Sequence, residues 1–239
     1  IVVADDPGPI SSQTEQDTRQ FGVFSKLPVF DPTSPEEAYA MIGQAFQYSE
    51  KYQTPVLFRP TTRICHASVS LEISSERAKV APEGFVKDPK WVIFPRLSYL
   101  NHIKIEKRNE VLAEDFATYK ANEIIAAGDF CRKGIAAGGI SYVYAKEALK
   151  LLGVSCKLFK VATPYPFPER LAREFLQQVD EVLVLEELSP FIEKELVYLC
   201  GKYQLPVKVK GKLTADMPCA GENTVENVKE ALAKFFGLR

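Results

Sequence analysis

Between residues 134 and 236, four short apolar runs alternate with stretches long enough for helices, and no other feature of the chain limits its possible folds as much. Gly134 to Gly139 (GIAAGG) reads as a strand and glycine turn that leads into a helix through Leu152. Cys156 to Val161 (CKLFKV) is followed by a helix that Pro168 and Glu169 open and that runs through Phe175 and Leu176. Glu181 to Leu185 (EVLVL) leads to Ser189 and Pro190, which cap a third helix, and Pro206 to Val209 (PVKV) precedes a terminal helix capped by Thr224. Strands buried on both faces read as unbroken apolar runs, and parallel strands need a crossover between them. The pattern therefore predicts an α/β fold with a doubly wound, mainly parallel sheet.

The first third alternates in the same way. Ile1 to Ala4, Pro28 to Phe30 and Pro55 to Phe58 read as buried strands bounded by turn formers. Ser34-Pro35-Glu36-Glu37 announces a helix: Ser34 suits the N-cap, Pro35 the first helical position, and Glu37 completes a capping box. Ala38, Met41, Ile42, Ala45 and Phe46 then recur at three- and four-residue spacing as one buried face, and the helix should end near Lys51. Residues 74 to 95 carry Pro, Lys and Glu without a sustained period, as a surface linker does. Residues 97 to 116 are helix formers with mixed charge, which predicts a largely exposed connecting helix.

A chain of 239 residues, 46% hydrophobic and 26% charged, can bury one large core or two smaller ones. Its net charge of −1 has no basic stripe, which argues against nucleic acid or an anionic membrane as partner. No apolar run approaches the roughly 20 residues that cross a bilayer, and the N-terminus lacks a basic leader, so the expected location is cytoplasmic. The five cysteines (Cys65, Cys131, Cys156, Cys200, Cys219) form neither a CxxC pair nor a cluster-binding run; reduced, mostly buried thiols are expected. The histidines, His66 and His102, have no Cys or His at ligand spacing, and no metal site is expected.

Gly134 to Gly139 matches neither GxGxxG nor GxxxxGK followed by Ser or Thr, and is expected to be a tight strand-to-helix turn. Glu186 and Glu187 end a strand, where neighbours point to opposite faces; one of them is expected to support a loop or an interface. The opening loop is the densest polar signal. Ser11 to Arg19 places hydrogen-bonding side chains in a row behind a strand and a Pro-Gly turn, either as a solvated turn or as the lining of a polar ligand cleft. Thr62, Arg63 and His66 follow another strand end, where open α/β sheets place their ligands.

The stretches VVADDPGPISSQTEQDTRQFG, SPEEAYAMIGQAFQYSEKYQTPVLFRPTTRICHAS, GIAAGGISYVYAKEAL and VLVLEELSPFIEKEL together resemble the α subunits of indolepyruvate:ferredoxin oxidoreductases, among the thiamine-diphosphate-dependent 2-oxoacid:ferredoxin oxidoreductases. The resemblance implies that residues 1–72 are the closing half of an incomplete pyrimidine-binding α/β domain, 73–119 a linker and connecting helix, and 120–239 a domain like the C-terminal domain of transketolase. It further implies oxidative decarboxylation of an aryl pyruvate, with thiamine diphosphate and Mg as cofactors, electrons passing through 4Fe–4S clusters to ferredoxin, and coenzyme A taking the acyl group. Ser12, Gln13, Glu15, Asp17 and Arg19 would face the cofactor cleft, with Thr62, Arg63 and His66 nearby.

The sequence also departs from that pattern. The glutamate that activates the aminopyrimidine has no counterpart, Gly128-Asp129-Phe130 fails the GDG diphosphate signature at its third position, and the cysteine-rich cluster segments are absent. The chain alone is therefore expected to be inactive, and its opening on an internal strand suggests a fragment or one product of a split gene. An exposed sheet edge of that kind predicts an oligomer, with other subunits of the enzyme as partners, or pairing with the missing segment. A non-catalytic assembly module of a thiamine-dependent complex is the alternative expectation.

Overall fold

The computed structural model describes residues 1–6, 14–73, 81, 84–126 and 131–238. The first part is a three-stranded parallel sheet, with β1 (Val2–Val3), β2 (Val29–Phe30) and β3 (Leu57–Phe58) in the order β1-β3-β2. Helices α1 (Arg19–Ser25) and α2 (Pro35–Tyr52) connect the strands, and the short α3 (Thr62–Cys65) follows the last.

Helix α2 starts where its signals place it. The Glu37 N–H donates to Ser34 Oγ at 3.2 Å, and Pro35 occupies the first turn. The Glu37 side chain does not close the expected box. Its Oε2 accepts from the N–H and hydroxyl of Thr33, both at 2.7 Å, and its Oε1 from Lys160 at 2.6 Å, because these donors lie closer to hand than the cap N–H. The buried stripe runs through Ala38, Met41, Ala45, Tyr48 and Tyr52; Phe46, expected inside, lies one position off it and faces solvent.

The connecting helix α4 (Pro95–Ala117) divides in two. Its first turns are exposed as expected, while Leu112, Phe116 and Ala117 are buried. Phe116 meets Phe30 edge to face with centroids 5.4 Å apart, and Tyr48 and Tyr119 complete an aromatic cluster around Phe30.

The second sheet holds five strands: β4 (Glu123–Ile125), β5 (Lys133–Gly138), β6 (Lys157–Val161), β7 (Glu181–Leu185) and β8 (Lys208–Lys210), in the order β4-β6-β5-β7-β8. Four are parallel, as the alternation predicts. The strand that the sequence reading missed, β4, is a three-residue edge antiparallel to β6, too short to show a period. Alternate strand residues face opposite sides. Ile135, Leu158 and Leu183 pack under α5 (Ile140–Leu152) and α8 (Val225–Phe236), while Ala136, Phe159 and Val184 pack under α6 (Glu169–Leu176) and α7 (Phe191–Lys202).

The caps differ in chemistry. Thr224 and Asn227 form a reciprocal capping box on α8, whereas α7 begins at Pro190 with no side-chain cap from Ser189. Glu186 serves α7 instead, accepting from the N–H groups of Ile192 and Glu193 at 2.9 and 3.0 Å. The cysteines are all free, but only Cys156, just before β6, is buried; Cys65, at the end of α3, and Cys219 are exposed. Among the described residues no helix is long and apolar enough to cross a membrane.

The two sheets are joined by backbone. The Val29 N–H donates to the Tyr165 carbonyl at 2.7 Å and the Asp31 N–H to the Ala162 carbonyl at 2.8 Å, so the free edge of β2 bonds to the segment that leaves β6. The expected glycine turn sits beside this seam. Gly139, with φ +54°, is the N-cap of α5, and a Cβ there would lie 2.9 Å from Thr61 Cγ2. We expect Gly139→Ala to lower stability by about 1–3 kcal/mol in urea unfolding, since it adds backbone strain and a contact across the seam; an unchanged midpoint would show that the seam yields without cost.

Candidate functional site

In the second sheet β5 lies between β6 and β7, so successive crossovers leave it in opposite directions. The crevice outside the carboxyl ends of β5 and β7 is thus the switch point at which open α/β sheets bind ligands. Here side chains of the first sheet enter it. A Cβ on Gly139 would lie 3.3 Å from Asp31 Oδ1 and 3.5 Å from Arg59 Nη1, and one on Gly138 would lie 3.7 Å from Asp31 Oδ2.

Two arginines organise the crevice. Arg59, directly after β3, donates from Nε to Asp6 at 3.0 Å and from Nη1 to both oxygens of Asp31 at 3.1 and 3.2 Å. The N–H and hydroxyl of Thr18 also donate to Asp6. Arg19 is 1% exposed and opens α1. Its Nη1 donates to Glu186 at 2.6 Å, Nε and Nη2 donate to Asp17 at 2.9 and 2.7 Å, and Nη2 also reaches the carbonyls of Glu187 and Ser189. The guanidinium lies 5.4 Å from the Phe191 ring centroid. This planar fork satisfies a carboxylate on each side of the seam at once.

Glu186 and Glu187 are both buried, which the alternation of strand faces did not lead one to expect; the strand ends at Leu185, so neither residue is bound by it. Glu187 Oε1 accepts from the Asn223 N–H at 2.8 Å, and Asn223 donates on to Ser141 in the first turn of α5 at 2.9 Å. Glu187 Oε2, Arg59 Nη2, Asp6 Oδ1 and Thr61 Oγ1 have no hydrogen-bond partner among the described residues.

Asp6, Asp17, Asp31, Glu186 and Glu187 thus surround Arg19 and Arg59, with Glu193 and Lys212 adding one group of each sign. Burial works against every charge in such a cluster and partners oppose it. Burial alone would raise Asp17, but Arg19 prevails and holds it at about 2. Burial pushes Asp31 up against the pull of Arg59 and Arg19, and pushes Glu187 to about 7. Burial would lower Arg19, yet Glu186 and Asp17 raise it, so it stays charged at any ordinary pH.

The residues singled out from the sequence reach this seam or its rim to different degrees. Asp17 and Arg19 join the 186–189 turn. Glu15 accepts from the Gly221 N–H, and Arg63 forms a two-pronged pair with Glu222 at 2.6 and 2.8 Å. Thr62 donates from its N–H to the Asp6 carbonyl and from its hydroxyl to the Asp5 carbonyl. His66 lies exposed at the end of α3. Ser12 and Gln13, like Gly128 to Phe130, lie outside the described residues. Asp6, Asp31, Arg59 and Asn223 were not among the candidate site residues, although Arg59 heads the segment that the sequence sets at the ligand end of a strand. For the first three a signal existed: each follows an apolar run directly or by one residue, at the carboxyl end of a strand.

Among the described residues no group of three or more His, Cys, Asp or Glu could hold a metal ion. The described switch-point side chains answer one another in ion pairs, a donor set that does not fit a magnesium diphosphate, and the dispersed cysteines do not fit a cluster. What the arrangement does is clamp two sheets together with buried charge.

The architecture is that of an α/β protein built like part of a 2-oxoacid oxidoreductase. A solved 2-oxoglutarate:ferredoxin oxidoreductase from Magnetococcus marinus shares the fold with a TM-score of 0.64 over 98% of this chain and 48% of that chain, at 16% identity. No family model matches the chain. It is 38% identical over 245 residues to the indolepyruvate oxidoreductase subunit IorA of Thermococcus kodakarensis, an alignment covering 100% of this chain and 37% of that one. The corresponding subunit of Methanothermobacter thermautotrophicus is 32% identical over 238 residues, covering 99% of this chain and 38% of its own length. The 2-oxoglutarate synthase subunit KorA of Archaeoglobus fulgidus is more distant, at 27% over 204 residues, covering 79% of this chain and 58% of that one. The sequence therefore matches the IorA family, the α subunits of indolepyruvate oxidoreductases, along its full length, and it spans less than two fifths of theirs.

Proposed function

We propose that this chain acts within an indolepyruvate oxidoreductase α subunit. The observation that carries this reading is the match to IorA subunits along the whole chain. The activity proposed for the complete enzyme is oxidative decarboxylation of an aryl pyruvate such as indolepyruvate, with carbon dioxide lost, the acyl group passed to coenzyme A, and electrons passed to ferredoxin. Residues 1–72 are assigned to the closing half of a pyrimidine-binding domain, 73–119 to a linker and connecting helix, and 120–239 to a transketolase C-terminal-like domain. The chemistry of the described residues supports a holding role. Thiamine diphosphate, its magnesium and the iron–sulfur clusters are assigned to other parts of the complex, and the residues here shape a neighbouring wall.

Within that wall the seam fixes the strand-end loops, and Glu15, Thr62, Arg63 and His66 are proposed as its ligand-facing rim, with Asp17 and Arg19 bracing it from behind. Arg63 provides the test because it is exposed and can be replaced without burying a charge. In the complete enzyme Arg63→Ala should lower kcat/KM for indolepyruvate by about tenfold or more. Loss of its exposed, solvent-screened pair with Glu222 should change stability little. Unchanged kinetics would remove Arg63 from the rim and favour a purely assembling role for the chain.

A further inference from the structure

Independently of that reading, a groove of about 660 Å³ opens between α4, the last turn of α2 and the 3-10 turn Pro89–Trp91. Sites for small molecules are of this size, roughly 300–1,000 Å³. Asn101, Lys104, Ile105 and Arg108 succeed one another at three- and four-residue spacing, so one face of α4 forms a wall of it. Glu50 contributes from the end of α2, and Lys90 and Trp91 from the 3-10 turn. Asp88 caps that turn, accepting from the Lys90 N–H at 2.8 Å, and thereby sets Trp91 at the groove although the ring is 70% exposed.

The charges of the groove are not balanced within the chain. Lys90, Lys104 and Arg108 line it against a single acid, Glu50. Arg19, Arg59, Arg63, Arg132 and Arg170 each meet a carboxylate. Arg108 meets none among the described residues: its Nη2 donates to the Lys26 carbonyl at 3.0 Å, and its buried Nε has no acceptor. Burial, answered by no carboxylate, lowers its pKa from the usual arginine value. Lys90 keeps a loose pair with Asp88 at 3.6 Å and lies 5.0 Å from the Trp91 ring centroid, so an anion drawn to these cations arrives beside an aromatic face. A flat ring stacks on such a face, and a guanidinium fork with a neighbouring ammonium group suits phosphate oxygens. The excess of two positive charges matches a phosphate dianion better than a single carboxylate.

We propose that this groove binds a phosphorylated aromatic ligand of mononucleotide size, with its phosphate held by Arg108 and Lys104 and its ring stacked on Trp91. Trp91 is the only tryptophan of the chain, so tryptophan fluorescence reads this groove alone. Adenosine monophosphate, taken as the probe, should quench it saturably in the 239-residue chain with a Kd below about 1 mM. Adenosine and phenylacetate, which lack the phosphate, should bind about tenfold or more weakly, and inorganic phosphate should compete with the nucleotide. Lys104→Glu should weaken the nucleotide about tenfold or more, whereas Lys229→Glu, on α8, should leave its Kd unchanged. Arg108→Gln should weaken it as well; Lys104 is exposed, so its variant carries the test even if Arg108→Gln folds poorly. Quenching that does not saturate by about 10 mM nucleotide overturns the proposal. So does phenylacetate or adenosine binding as tightly as the nucleotide, or a Lys104→Glu chain that binds it like the parent. These readouts are independent of indolepyruvate turnover, so either reading can fail without the other.

Discussion

Replacing Arg19 with methionine will destabilise the chain by about 3–5 kcal/mol, the cost of breaking a buried ion pair from one side. Methionine fills much of the arginine volume, so lost packing contributes little. The loss arises from what is left behind: Glu186 and Asp17 with no cation, and the carbonyls of Glu187 and Ser189 with no donor. A lysine will not rescue the position, because one ammonium group cannot reproduce a fork that spans both sides of the seam. Against a total stability of about 5–15 kcal/mol such a loss is large. Urea unfolding at pH 7 followed by circular dichroism checks it, and a change below about 1 kcal/mol would show that the pairing with Glu186 contributes no more than a surface contact.

The second large effect is with pH. The folded chain holds the Glu187 proton up to about pH 7, whereas the same carboxyl ordinarily loses it at 4.5. Between those values the folded state binds more protons than the unfolded one, so stability falls as pH rises through that window and then levels off. The difference corresponds to about 3 kcal/mol for this group. Asp31, also raised by burial, adds a slope of the same sign. Asp17 acts oppositely and lower: held at about 2 from an ordinary 3.8, it stabilises the fold above 3.8 and withdraws that support as the pH drops towards 2. Stability should therefore peak on the acid side of neutrality. Glu187→Gln keeps the shape without the titration, and its unfolding free energy should change less between pH 5 and pH 8 than that of the parent. An identical profile in the variant would assign the proton to another group.

These predictions rest on residues that the sequence revealed unevenly. The parallel strands of the second sheet and the start of α2 were legible because their signals are local: an apolar run is read within itself, and Ser34 lies three residues from the N–H that it caps. Strand β4 was not legible because its pairing with β6, not its own pattern, makes it a strand. Phe46 and Glu37 misled for a related reason, since what each faces is decided by β2, α4 and Lys160, which lie far along the chain. The same holds for the site. Asp17 and Arg19 stood out in a polar loop, but their partnership with Glu186 and Ser189 spans 167 to 172 positions, a separation at which single-sequence patterns carry no pairing information. Family resemblance suggested a chemistry for a larger enzyme and did not reveal that the crevice of the second sheet is filled from within the chain.

The aromatic cluster around Phe30 has a further consequence. Phe30, Met41 and Phe58 come from before the linker, and Leu112, Phe116 and Ala162 from after it, so a single core is built from both halves. With Arg19 on one half gripping Glu186 on the other, covalent continuity adds little to what noncovalent contact already secures. The polypeptide between Phe85 and Phe94 is in that sense dispensable to the union: two separate chains divided there would reassemble into the same body, as complementing fragments of one fold do.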